Sequence, residues 1–256
     1  MYDQRRDNIL ALLEEKTSLT VKDLSDLLAV SEMTVRRDLL KMEKEGIVQR
    51  SFGGVSQAKG LILEQAIPMR AANMPNAKRR MAALAAGLID DGDSVALDTG
   101  TTISELAKCV AKKNIFVVTS SIHVAIAASQ GAATVRLSGG ELNKTLFTLF
   151  GPAAEEHYKS LNYKYAFVGA AGISLTEGVT EFKEDAAALK RAILGQARIK
   201  ALLADHTKFG EAKLFRAEAL SAFDILITDK TPSKEYLDYF QENNIRVITT
   251  AAKQGG

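Results

Sequence analysis

The sequence predicts a two-part α/β chain: a short helical stretch ending in a two-stranded ribbon, then a longer segment built around a mainly parallel sheet. Three observations carry this. Between Leu19 and Val55, capping residues, a short turn and a Gly-ended apolar run follow one another. From Asn76 onward, short runs of β-branched residues alternate with helical segments, the pattern of a parallel sheet covered on both faces. Between them, residues 57–75 mix Gly60, Pro68 and Pro75 with scattered apolar residues. The chain therefore divides into residues 1–57, a linker at 58–75 and residues 76–256. Leu61, Ile62 and Leu63 suit a linker that docks in part.

Asp3 to Glu14 reads as a first helix, with Ile9, Leu10, Leu12 and Leu13 as its buried side. Thr20 can cap VKDLSDLLAV, with Asp23 three residues on in an acidic capping-box position. Val21, Leu24, Leu27 and Leu28 give that helix an apolar face, and Ala29-Val30 leaves only a short turn. The next helix runs from Ser31, an N-cap, to Gly46, which suits the left-handed C′ position. Val35, Leu39 and Met42 make one apolar stripe; Arg36, Arg37, Lys41 and Lys44 lie off it. IVQRSFGGV then suits two short strands with a turn.

A charged helix face is ordinarily just solvated, and residues 1–57 hold about as many acids as bases. Charge alone therefore does not indicate nucleic acid. The order of parts does: capped helix, short turn, TVRRDL helix and wing form a winged helix-turn-helix, whose second helix enters the major groove. Phosphate contacts supply affinity and a few side chains read bases, so local clustering of cations suffices. The candidate DNA-binding residues are Ser31, Met33, Thr34, Arg36, Arg37 and Lys41, with Arg50 in the wing.

Leu24, Val30-Ser31, Thr34-Val35-Arg36-Arg37-Asp38-Leu39, Glu43, Gly46, Arg50 and Gly53-Gly54 resemble the N-terminal signature of the DeoR family of bacterial transcriptional regulators. The family's wing usually reads RxHGG; Phe52 stands here in place of the histidine. The resemblance implies a C-terminal domain that responds to a sugar phosphate.

Bulk properties are compatible. The 256 residues, 46% hydrophobic and 25% charged, are those of an ordinary globular chain with room for a large and a small domain. A formal charge of +2 is too small to name a partner. The single cysteine, Cys109, excludes an internal disulfide, fits a reducing compartment and is expected in a helix core beside Leu106 and Val110. No secretion-signal pattern and no apolar run near the roughly 20 residues of a membrane span is evident, so the expected location is the cytoplasm.

In the longer segment NAKRRMAALAAGLI reads as a helix, SVALD as a strand, and a helix follows from about Thr102 to Ala111. IFVVT, TVRLS, YAFVGA, KALLAD, DILIT and IRVITT read as further strands. IHVAIAASQ, GPAAEEHYKSL, residues 183–198 and SKEYLDYFQENN read as helices. Ligands of such sheets bind beyond the C-terminal strand ends. The first ends at Asp98-Thr99-Gly100-Thr101-Thr102: Gly100 allows close approach, the threonines offer hydroxyls, and the next helix offers free amides for a phosphate. The same residues also suit a plain strand–helix turn. Later ends carry Thr119-Ser120-Ser121, Ser138-Gly139-Gly140 and Gly169-Ala170-Ala171-Gly172, small or hydroxylic residues suited to a polyol. Glu181, Asp185 and Lys190 fit either ligand contacts or a solvated helix start. Asp205-His206 and Lys208 favour binding, a carboxylate accepting hydroxyls and a lysine pairing with phosphate.

The family resemblance extends to these positions. Asp98-Thr99-Gly100-Thr101-Thr102, Gly139-Gly140, Gly178-Val179-Thr180 with Lys190, and Leu203-Ala204-Asp205-His206-Thr207-Lys208-Phe209-Gly210 are similar to its sensor-domain motifs. Thr119-Ser120-Ser121 lacks the family's asparagine and Thr207 replaces a serine. The resemblance implies a fold similar to ribose-5-phosphate isomerase and the coenzyme A transferases. It also implies a repressor of sugar catabolism with operator DNA and a phosphorylated sugar as partners, without cofactor, metal or catalytic residue. A single short helix reads few base pairs, so a homo-oligomer, dimer or tetramer, is expected. The rival reading is a sugar-phosphate isomerase-like enzyme carrying a DNA-binding module, with Asp98, Glu181, Asp205 and Lys190 as acid and base. An RNA-binding or protein-binding winged helix is a third.

Overall fold

The computed structural model describes residues 5–6, 8–9, 12–13, 18–44, 48–51, 54–57, 70–71 and 73–250. Two compact units emerge, Met1–Gln65 and Ala66–Gly256. Among the described residues no helix is long and apolar enough to cross a membrane.

In the first unit, α1 (Val21–Leu28) starts in a full capping box: Thr20 Oγ1 accepts the Asp23 amide at 3.1 Å, and Asp23 Oδ2 accepts the Thr20 amide at 2.9 Å. Ala29 then turns the chain in the left-handed region, and Ser31 starts α2 (Glu32–Lys44) by accepting the Thr34 amide at 3.3 Å. Val35, Leu39 and Met42 are buried, as their stripe predicts, and so are Leu24, Ile9 and Leu13. Leu27 departs from the expected apolar face and is exposed. The wing is a hairpin, β1 (Val48–Ser51) antiparallel to β2 (Gly54–Gln57), and Leu19 bridges to Val55 alongside it. A Cβ at Gly54 would meet the Leu19 carbonyl oxygen at 2.9 Å, which accounts for glycine there. Leu10, Gly46, Phe52, Gly53, most of the linker and the Arg50 side chain lie outside the described residues.

The second unit opens with α3 (Pro75–Ala86), β3 (Ser94–Leu97), α4 (Thr101–Val110), β4 (Phe116–Thr119), α5 (Ile122–Ala128) and β5 (Thr134–Leu137). A hairpin β6 (Glu141–Asn143) and β7 (Thr148–Phe150) follows, then α6 (Pro152–Lys159) and β8 (Tyr163–Val168). Next come β9 (Gly172–Ser174), β10 (Gly178–Glu181), α7 (Glu184–Gly195), β11 (Ala197–Leu203) and β12 (Phe215–Glu218). The unit closes with β13 (Ile225–Thr228), α8 (Lys234–Glu242) and β14 (Arg246–Thr249). The main sheet has seven parallel strands in the order β14-β13-β11-β8-β3-β4-β5. Val95, Leu97 and Phe167 pack one face against α3, α4 and α5. Ala96, Ala166 and Val168 pack the other against α6, α7 and α8.

The chain winds outward from β3 through β4 to β5, then returns to β8 and winds the opposite way. Strand order thus reverses between β3 and β8, which opens a crevice at their C-terminal ends.

Four expectations are corrected. Residues 183–198 are not one helix: α7 ends at Gly195 and β11 begins at Ala197. The hairpin β6–β7 and the three-stranded sheet β12-β10-β9 were not anticipated. Cys109 is exposed, because Leu106 and Val110 take the inward face of α4. The TVRLS strand, β5, lies at the sheet's edge and is largely exposed rather than covered.

Leu39 is fully buried in the small N-terminal core. Leu39→Ala should lower that unit's stability by about 2–5 kcal/mol, read as an earlier urea transition in far-UV circular dichroism.

Candidate functional site

In the first unit α2 presents two unlike faces. Its solvent side carries Glu32, Met33 (80% exposed), Arg36, Arg37 and Lys41. Arg36 pairs with Glu32 at 3.2 Å along the helix, an exposed i,i+4 contact worth little by itself. Ser31 and Thr34 are engaged with each other, their hydroxyl oxygens 2.9 Å apart, at the start of the helix. Arg50 sits on β1 opposite Val55. Asp38 enters the sequence reading only as part of the family signature, with no role assigned to it. It is buried on the inner side of α2 and accepts from Arg5 Nε at 2.7 Å, which ties the first helical residues to this helix.

In the second unit the β3/β8 crevice has a charged floor. Lys190, from α7 and 2% exposed, pairs with Asp98 Oδ2, with Glu181 Oε1 at 3.1 Å, and donates to the Gly169 carbonyl at 2.7 Å. Asp98 Oδ2 also accepts the Gly169 amide at 3.3 Å. Burial opposes the Lys190 charge, but Asp98 and Glu181 outweigh it and hold its pKa above the ordinary lysine value. Asp98, Glu181 and Lys190, far apart in sequence, are thus one buried cluster.

Above this floor Gly100, whose φ of +121° suits only glycine, immediately precedes α4, and no side chain caps the helix. Cations gather at this positive helix end. A Cβ on Gly100 would lie 3.5 Å from Arg70 Nη2. Lys78 lies close enough to Asp205, Lys208, Arg70 and Glu105 to feel their charges, and burial brings its pKa down to about 8. Burial likewise lowers Lys208, opposed by Asp205 and reinforced by Arg70 and Lys213. Lys78 Nζ donates to the carbonyls of Arg70 and, at 2.6 Å, Asn73. A cavity of about 470 Å³ adjoins, lined in part by Lys78, Thr101, Ser104, His123 and Ile126. Arg70 and Lys78 were missed in the sequence. Lys78 had a signal: it falls on the face shared by Met81, Ala82 and Ala85, where a lysine is out of place.

Several predicted contacts are engaged within the protein instead. Ser120 bonds Ser138 (2.8 Å) and the buried Tyr158 hydroxyl (3.1 Å). Thr119 accepts the Ser121 amide at 3.1 Å, and Ser121 caps α5. Thr99 bonds Thr148 at 2.8 Å, and Thr101 reaches the Arg70 carbonyl at 3.4 Å. Thr102 is half-buried and Gly139 exposed. Gly140 is needed for the β6–β7 hairpin, since a Cβ would meet the Phe150 carbonyl oxygen at 2.5 Å. Asp205 caps the short turn His206–Lys208 through the Thr207 amide at 3.0 Å.

The model of the DeoR-like helix-turn-helix domain matches residues 5–59, and that of the DeoR C terminal sensor domain matches residues 73–230. The chain belongs to the DeoR family. Among DeoR relatives, the HTH-type transcriptional repressor GlcR of Bacillus subtilis is 32% identical over 100% of this chain and 99% of its own length. The HTH-type transcriptional regulator GlpR of Haloferax volcanii is 30% identical over 98% of each chain. Among solved structures, ribose 5-phosphate isomerase A from Methanocaldococcus jannaschii aligns over 54% of this chain and 55% of its own. Its TM-score is 0.41 and its sequence identity 16%.

Removing Lys190 from this DeoR sensor domain would leave Asp98 and Glu181 buried without a counter-ion. Lys190→Met should cost about 3–5 kcal/mol at pH 7. In the parent protein the folded pKa lies above the ordinary 10.5, so the Lys190 contribution is complete below 10.5 and lost only above it. Thermal melts of both proteins from pH 4 to 11 check this.

Proposed function

We propose that this chain represses a sugar-utilisation operon and that a phosphorylated sugar sets its hold on operator DNA. The observation that carries the effector part is the gathering of Arg70, Lys78 and Lys208 at the uncapped start of α4. Like charges crowd a positive helix end at a cost that a bound dianion removes. The phosphate lies over Thr99 to Thr102, and the Asp98–Lys190–Glu181 floor and Asp205 bound the sugar side. Thr119, Ser120, Ser121 and Gly140 shape the crevice walls. α2 enters the major groove, with Arg36 and Arg37 meeting phosphates or guanine edges and Met33, Thr34 and Lys41 beside them; Ser31 fixes the helix start and Arg50 reaches from the wing.

The ligand is bound and not consumed. Asp98, Glu181 and Lys190, the acid–base candidates of an isomerase, are paired with one another in the floor. The names of the relatives, repressor and regulator, support the same reading. Residues 1–57 form the DNA-binding part, 58–75 the linker and 76–256 the sensor, acting as a cytoplasmic homo-oligomer on a repeated or palindromic operator. The oligomer is tested by sedimentation: a monomer that stays monomeric on operator DNA would rule it out.

Arg37→Ala should cost roughly 1–3 kcal/mol of operator affinity if it reads a base. A phosphate contact would instead weaken all sequences alike and flatten the salt slope. Anisotropy titrations against duplexes selected from a random pool separate the two. Unchanged affinity in the Arg36→Ala, Arg37→Ala double variant sinks the assignment.

Gly100→Val forces a side chain toward Arg70 in a backbone region valine avoids, and should abolish sugar-phosphate binding while operator binding persists. A full calorimetric ligand response in Gly100→Val places the effector elsewhere. Turnover of a pentose or hexose phosphate moves the protein to the enzymes.

Binding should also follow pH. Below about pH 6 the phosphate ester loses its second charge and binds less well. Lys78 is charged in the free site below about pH 8. Above that, binding must take up a proton, and affinity should fall by up to about tenfold per pH unit. Calorimetric affinities from pH 5 to 9.5 test this; a flat profile across pH 8 removes Lys78 from the contact.

A further inference from the structure

The turn His206–Lys208 that brings Lys208 toward Arg70 and Lys78 carries a second constellation on its other side. Asp229, just after β13, is buried and holds His206 twice: Oδ1 accepts its backbone amide at 2.7 Å, and Oδ2 faces ring Nδ1 at 2.8 Å. A carboxylate opposite Nδ1 keeps the proton there and leaves Nε2 as the outward ring atom. Lys230 Nζ lies 3.0 Å from Nε2 and, having no acceptor of its own, donates to it.

Both Asp229 oxygens are occupied by His206, and among the described residues no carboxylate lies within ion-pair distance of Lys230. His206 and Lys230 line a cavity of about 280 Å³ with Thr231, Ser233, Phe209 and Tyr236. The Tyr236 hydroxyl is engaged by the Gly210 amide and the Ile173 carbonyl. The Ser233 hydroxyl makes no cap bond.

We propose that this cavity binds a phosphate group independently of the Arg70–Lys78–Lys208 cluster. The Lys230 ammonium and the hydroxyls of Thr231 and Ser233 belong to residues lining the same cavity, and together they can donate several hydrogen bonds. That number suits the oxygens of a tetrahedral dianion better than the two of a carboxylate. An anion paired with Lys230 draws the ammonium away from Nε2 and so changes the surroundings of the His206 ring. His206 thus reports occupancy directly, and it shares a three-residue turn with Lys208.

The chain has three histidines, so the imidazole nitrogens of full-length protein are separable by NMR, with His206→Gln for assignment. Titration with inorganic phosphate should move the His206 nitrogens saturably and leave His157 unmoved. Lys230→Gln, at an exposed position, should weaken that response at least tenfold; Arg70→Gln should leave it intact. Glucose 6-phosphate run alongside separates the sources. Equal saturation fits free phosphate, tighter ester binding fits a phosphorylated ligand, and either supports the site. The proposal is overturned if His206 does not move at saturating phosphate, if its movement survives Lys230→Gln, or if acetate moves it with equal affinity. Loss in Arg70→Gln also overturns it, since His206 would then report the first cluster. A phosphate response at His206 that persists while Gly100→Val abolishes sugar-phosphate control keeps the two sites distinct.

Discussion

The buried ion cluster of Asp98, Lys190 and Glu181 is the constraint on which the sensor domain rests. Charges leave water only at a cost of several kcal/mol each, so they stay buried only when paired and hydrogen-bonded. Here the pairing reaches across the fold. Asp98 follows β3, Gly169 follows β8, Glu181 ends β10, and Lys190 comes from the middle of α7. One ammonium therefore fixes the two strand ends that flank the reversal of strand order. The crevice that the topology opens acquires a rigid floor.

That floor also sets the electrostatics above it. Two carboxylates against one ammonium leave one negative charge, and Lys208 feels it through Glu181. This, with Asp205, steadies cations that burial would otherwise discharge. Arg70, Lys78 and Lys208 gather at a helix start that is itself positive. A dianion bound there, as proposed above, would favour the charged form of Lys78, which burial disfavours. Regulation then needs one further condition: the ligand must favour one arrangement of the protein over another, because equal affinity for both shifts nothing.

Much of this was legible in the sequence where the signal is local. Thr20 with Asp23, Ser31, and the Val35–Leu39–Met42 stripe encode the helix pair in adjacent residues. The β-branched runs encode the parallel strands, and Asp98 to Thr102 marks a strand end beside a helix start. What was not legible depends on direction or on distant partners. Thr119, Ser120 and Ser121 announce hydroxyls, but not that they turn inward to Ser138, Tyr158 and the start of α5. Asp38 finds Arg5, and Asp98 finds Lys190, across spans no periodicity covers. The strands β6, β7 and β9 have three residues each, too few for an alternation to register. Arg70 sat in a segment read as linker, where a cation carries no pattern.

The central claim is that phosphate recognition in the sensor controls the helix-turn-helix. Operator affinity of the full-length protein, measured by anisotropy with paired phosphorylated and unphosphorylated sugars, tests it most directly. The account predicts that a phosphorylated sugar changes the operator dissociation constant by about 5–150-fold while its unphosphorylated partner does nothing. Equal effects of both members of a pair, or no effect from any phosphorylated sugar that binds, would contradict it.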